Sequence, residues 1–264
     1  MVDMVVSEMA ESNPKFRKVV REEGEGNAAW MQRQLSDYDG VAIGLVGGRG
    51  NVDFRVRVAQ SHLRYSFTPS HWSHCFLMVD RSGTIYEISL TPDGGFGFPA
   101  AANAMQESSL QRYDSEKAYP NIGVIRMPSL DVDKAKVALK NFAKQRGVLD
   151  AVTLLVYWLG YAWGAAGADN PLLDGNGLPS AAMVETVCNA AGYDISPLTP
   201  SRSSTPEALW LATKWWYHAP RTVRAAREMK EGELPEDLPT GAFFIDHELG
   251  TQKDMVWSET LKDV

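Results

Sequence analysis

The sequence predicts an α+β fold in which a small antiparallel β-sheet or barrel packs against helices. Three observations point there. Two apolar, β-prone runs, His74 to Val79 and Thr84 to Leu90, flank Asp80-Arg81-Ser82-Gly83, a hairpin signal. Asp131 to Arg146 carries Val132, Ala135, Val137, Leu139 and Phe142 among lysines, an amphipathic helical pattern stopped by Gly147. Ala151 to Ala168 is uncharged, but it is short for a membrane span and holds three glycines, so a helix buried in the core is expected over 151–166.

The remaining elements follow in chain order. Residues 1–36 read as a polar, helical N-terminal extension to a main domain over 37–218, with 219–264 as a C-terminal extension. Gly40 to Val46 is an apolar strand ending in the glycine turn Gly47-Gly48-Arg49-Gly50. A phosphate-cradling loop would need Lys-Ser/Thr or a helix opening after those glycines, whereas Asn51 to Val58 alternates like a strand or an irregular arm. From Pro92 to Pro120 the chain reads mostly as loop, with one helical turn near 103–112; Ile122 to Met127 is another strand. A helix over 180–191 starts at Pro179-Ser180 and stops at Gly192, and its stripe of Ser180, Val184, Val187 and Ala191 turns Ser180 inward. Thr205-Pro206-Glu207 caps a further helix leading into Trp210 to Tyr217.

Composition excludes some functions. With 44% hydrophobic and 22% charged residues the chain folds, and a net charge of −7 without a basic face argues against nucleic-acid binding. The short basic stretch Arg221 to Arg227 is the nearest approach to one. The N-terminus lacks a basic region followed by an apolar run, so no signal peptide is read. The expected place of synthesis is the cytoplasm, with non-classical export or virion incorporation as further routes. Cys75 and Cys188 sit in apolar segments and are expected to be buried, reduced and inert. His71 and His74 face opposite sides of a strand, so no metal pair and no cofactor are expected.

The hairpin carries the chemistry. Loops of two or four residues both pair position 76 with 87 and 78 with 85, so His74, Phe76, Met78, Ile85, Glu87 and Ser89 share a face. Glu87 then lies diagonally from His74, within reach to orient the imidazole. An inward residue at a helix N-terminus, Ser180, completes a possible constellation of nucleophile, base and acid.

The motifs Trp72-Ser73-His74-Cys75-Phe76, Tyr86-Glu87-Ile88, Ser180-Ala181-Ala182-Met183-Val184, Ala190-Ala191-Gly192 and Thr205-Pro206-Glu207-Ala208-Leu209 occur in that order. Over about residues 37–212 this order resembles the circularly permuted NlpC/P60 branch of the papain-like fold, which includes amidase-like and acyl-hydrolase-like members. The resemblance implies cleavage of an amide or ester through an acyl intermediate, with His74 as base, Glu87 as orienting acid and position 180 as nucleophile. The implied substrates are a peptide, a peptidoglycan stem or a lipid acyl group. Where that family carries cysteine this chain has Ser180, which fits a pseudoenzyme, a serine variant or a Cys→Ser knockout. A hydroxyl lacks an accessible anion at neutral pH, so little hydrolase activity is expected, and Ser180→Cys is expected to create a reactive thiol. The alternative is a non-catalytic structural or binding module of a larger assembly, such as a phage particle or a secretion apparatus.

Overall fold

A computed structural model describes residues 16–18, 21–91, 103–164, 167–197, 199–213 and 243–245. The strands are β1 (Phe16–Lys18), β2 (Val41–Gly47), β3 (His74–Met78), β4 (Thr84–Glu87), β5 (Gln106–Ser109), β6 (Asn121–Met127) and β7 (Phe243–Ile245). They form one sheet in the order β1-β7-β6-β2-β3-β4-β5. Every pairing is antiparallel except β1 with β7. The helices are α1 (Asn27–Gln34), α2 (Asn51–Ala59), α3 (Val132–Lys144), α4 (Ala151–Ala162), α5 (Pro179–Ala190) and α6 (206–213).

Alternation along the strands divides the interior into two cores. Val41, Ile43, Leu45, Cys75, Leu77, Ile125 and Met127 face a layer built from α2, α3, α4, α5 and α6. Ala42, Val46, Phe76, Met78, Ile85, Ile122 and Val124 face α1 and the 3₁₀ turn Leu110–Tyr113. Leu77 pairs with Tyr86, the register expected for the hairpin, and it puts His74 and Glu87 on this second face. Gly44 lets the two strands close up here, because a Cβ on it would stand 2.1 Å from the Phe76 ring.

Local chemistry explains most helix ends. Asp131 accepts the Lys134 N–H at 2.9 Å, a cap worth about 1 kcal/mol, and α3 buries Ala135, Ala138, Leu139 and Phe142. Val137, expected on the apolar side, is 59% exposed. Helix α4 packs Leu154, Leu155 and Trp158 inward, and Trp158 Nε1–H donates to the Gly177 carbonyl at 2.8 Å. Its outer side exposes Val156 and Tyr157, so α4 is packed on one side only and is not the wholly buried helix expected. Among the described residues no helix is long and apolar enough to cross a membrane. Thr205 Oγ1 accepts the Ala208 N–H and opens α6, as read from Thr205-Pro206-Glu207. Trp210 stacks edge-on against Trp72, whereas Trp215 to Tyr217 and Arg221 to Arg227 lie outside the described residues.

Three expectations are overturned. Asn51 to Ala59 is a helix, because burial of Val56, Arg57 and Ala59 along one side outweighs the alternating pattern of valines and arginines. Gln106 to Ser109 is a strand, held by main-chain pairing to β4, and only the turn after it is helical. The N-terminal extension holds strand β1 and a helix confined to residues 27–34 among its described residues.

Candidate functional site

The site begins at the entry to β3. Ser73 N–H donates to the Val46 carbonyl at 2.9 Å, which draws β3 alongside β2 and leaves His74 as the first residue pointing to the second face. Glu87, at the end of β4, meets it there. His74 Nε2 lies 2.7 Å from Glu87 Oε2. With Nε2 engaged by Glu87, the other ring nitrogen, Nδ1, makes no hydrogen bond among the described residues.

Glu87 is fully buried, yet three neighbours satisfy it. Tyr113 donates its hydroxyl to Oε2 at 2.5 Å, and Arg112 Nη1 stands 3.4 Å from Oε1. Burial by itself raises the carboxyl pKa. The hydrogen bond and charge of His74, the Tyr113 hydroxyl and the Arg112 guanidinium outweigh that effect and hold it below the usual range. Tyr113 stacks on Phe76 at 5.3 Å and lies 5.7 Å from the His74 ring, so the imidazole is wedged as well as hydrogen-bonded. Arg112 also donates to Ser89 Oγ at 3.1 Å and to the Thr91 carbonyl, fastening the strand end after Glu87.

A second carboxyl approaches from α2. Asp53 Oδ1 accepts the Ser73 hydroxyl at 2.6 Å, and Ser73 Oγ accepts the Gly48 N–H at 3.1 Å. Gly48 is required here, since a Cβ would stand 2.3 Å from the Asp53 carboxyl. Burial raises the Asp53 pKa, offset in part by the Ser73 hydrogen bond and by the nearness of His74 and Arg57. Asp53, Ser73, His74, Ser89, Thr91 and Tyr113 line a cavity of about 20 Å³. That space holds one water, not an acyl group.

Ser180 is elsewhere. Its hydroxyl accepts from Cys75 Sγ at 3.7 Å, and Cys75 projects to the face opposite His74. Helix α5 packs on β3 as expected, but from the helical layer, so strand alternation separates Ser180 from the histidine it was expected to join. The surroundings also oppose an anion. Burial pushes the Cys75 thiol up to about 12, helped by the Glu185 charge, and burial raises Cys188 further. Glu185 is itself raised by burial, while accepting from Ser196 N–H at 2.9 Å and Ser204 Oγ at 3.2 Å.

Of the three expected site residues, His74 and Glu87 therefore meet and Ser180 does not. Arg112, Tyr113, Asp53 and Ser73 join the pair instead. Ser73 adjoins His74 in sequence and Arg112-Tyr113 follows a Ser109 cap, but neither signal says which buried acid it will meet. Compared with protein-family models, with curated proteins and with solved structures, the chain matches none, and the functional reading rests on this geometry.

Proposed function

We propose that this chain is a papain-like, hydrolase-type domain that keeps the histidine–acid half of a catalytic site without its nucleophile. It acts as a non-catalytic module of a larger assembly. The observation that carries this reading is the placement of the Ser180 hydroxyl on Cys75, across the sheet from the His74–Glu87 pair. Acyl transfer needs the nucleophile within hydrogen-bond reach of its base, directly or through one water. Of the hydroxyls lining the His74 cavity, Ser73 donates to Asp53 and Tyr113 to Glu87, while Ser89 accepts from Arg112.

The test is direct. The purified chain is offered p-nitrophenyl acyl esters, a peptide amide, a fluorophosphonate and iodoacetamide, beside a His74→Ala variant. The expected result is turnover at background and no labelling that depends on His74. Turnover or fluorophosphonate labelling that His74→Ala abolishes would establish an acyl-transfer enzyme and overturn the proposal.

A further inference from the structure

Strand β6 is buried on both of its faces, so its two edges decide how it is held. Ile122 and Val124 belong to the core on the α1 side, Ile125 and Met127 to the core under the helices. An open edge on such a strand presents main-chain donors and acceptors between apolar residues, a template for another strand. The two edges are filled unequally. β2 runs along the whole of β6, from Val41 opposite Met127 to Gly47 opposite Asn121. On the other edge β7 covers three residues, Gly123 with Ile245, Val124 with Phe244 and Ile125 with Phe243.

The strand on that second edge comes from far along the chain. Ala242 to Ile245 is an apolar, β-prone run, bounded by Pro239-Thr240-Gly241 and Asp246. The described part of α6 ends at Thr213 and β7 begins at Phe243, which leaves 29 residues, 214–242, to join them. A connection of that length can reach at most about 95 Å, roughly twice the diameter of a compact domain of this size. It is therefore long enough to carry residues 243–245 to β6 of a neighbouring molecule. A ladder of three residues also opens locally at small cost.

We propose that the outer edge of β6 is a strand-acceptor site, filled in cis by residues 243–245 and open to exchange with the same segment of a second copy. The main-chain pairing is the same in cis and in trans, so exchange costs chiefly the entropy of joining two chains. It is reciprocal, each copy giving the strand that it receives, and it closes as a two-fold dimer instead of growing a fibre. A tethered strand competes at an effective concentration up to the millimolar range, so exchange is expected near ~1 mM chain, or where copies are crowded in an assembly, and not at ~10 µM. The acceptor edge lies apart from His74, with β2 standing between β6 and β3, and strand exchange is independent of what the His74 site does.

The test uses full-length chains. Opposite residues of an antiparallel pair hold their Cα atoms about 4.5–5.5 Å apart, within the span of a disulfide. Val124 and Phe244 are such a pair, so Val124→Cys and Phe244→Cys are made on separate chains and together on one, with the buried Cys75 and Cys188 left in place. The double variant, oxidised at ~10 µM, is expected to close within one chain, read by mass spectrometry of the linked peptides. The two single variants, mixed and oxidised at ~1 mM, are expected to form the same bond between chains. Its yield should exceed at least about tenfold that of a control mixture of Val137→Cys, on the exposed side of α3, with Phe244→Cys. Sedimentation of the chain without introduced cysteines is the second measurement. Its dimer fraction should rise between ~10 µM and ~1 mM, and Phe244→Pro, which removes a ladder N–H, should abolish the dimer. A double variant that does not close, an interchain yield no greater than the control, a monomer at both concentrations, or a dimer indifferent to Phe244→Pro would overturn the proposal.

Discussion

The two faces of the sheet bury carboxylates in opposite ways. On the face toward α1, Glu87 is surrounded by Arg112, Tyr113 and His74, and these partners hold it ionised despite complete burial. On the helical face Glu185 receives only hydroxyls and one N–H, from Ser196 and Ser204, and burial raises its pKa. Both acids lock a chain segment, Glu87 the turn after β5 and Glu185 the loop before α6. Only the first is built to keep charge. The charged network around His74 belongs to the face with the thinner cover, whereas Glu185 shares the helical face with the two buried cysteines, whose thiols burial raises.

Truncating Glu87 should break that contrast most severely. Glu87→Ala leaves Arg112 and the Tyr113 hydroxyl buried beside an unpaired imidazole, and breaking a buried charged pair costs roughly 3–5 kcal/mol. Urea unfolding followed by tryptophan fluorescence measures it. A loss below about 1 kcal/mol, the scale of an exposed ion pair, would mean that water reaches the site and that the network holds little.

Glu185 should behave differently in size and in sign. Glu185→Gln keeps an acceptor for Ser196 N–H and an amide donor for the hydroxyls, so the change is expected to be no more than about 1 kcal/mol. Its pH dependence sharpens the comparison. A carboxyl raised in the folded state contributes stability that is present below its unfolded pKa, near the ordinary glutamate value of 4.5, and lost as pH rises through the folded value. The Gln variant should therefore gain on wild type as pH climbs above that point. Glu87, lowered on folding, contributes above its unfolded pKa and loses that contribution as pH falls through the folded value, so the cost of Glu87→Ala should shrink in acid. Stability measured from pH 3 to 8 separates the two; parallel profiles would erase the distinction between the faces.

The same contrast marks what could be read from the sequence. The β3–β4 hairpin was legible because alternation and an even loop fix which residues share a face, and His74, Phe76, Ile85 and Glu87 do share one. Ser180 was legible as inward and N-terminal, and it is 1% exposed. Nothing in one sequence states which side of the sheet α5 will cover, and that missing bit parted Ser180 from His74. Strand β5 left no trace because Gln106-Glu107-Ser108-Ser109 joins β4 through its main chain. Helix α2 was hidden by alternating valines whose burial is decided by packing against α4 and by Asp53 reaching back to Ser73. Tyr113 and Arg112 lie 26 and 25 residues from Glu87, a separation that only the folded turn closes.

The smallest expected effect is the most discriminating. A thiol introduced by Ser180→Cys at the N-terminus of α5 gains from the helix dipole, an effect of about 0.3–1 kcal/mol for an ordinary terminus. Against it stands the environment that carries the adjacent Cys75 thiol up to about 12, with the Glu185 charge acting in the same direction. A dipole of that size offsets less than one pKa unit, since each unit is worth 1.36 kcal/mol. The thiolate fraction at neutral pH therefore stays small, and the sulfur is sealed from solvent besides. Alkylation of the folded variant by iodoacetamide, resolved by site with mass spectrometry, should run no faster at residue 180 than at Cys188. It should be unchanged by adding His74→Ala, because the imidazole lies across the sheet. Unfolding in urea should release all three thiols together. Fast, His74-dependent labelling at mildly acidic pH would mean that α5 and the histidine reach one another in solution, and it would return an acyl-transfer role to this domain.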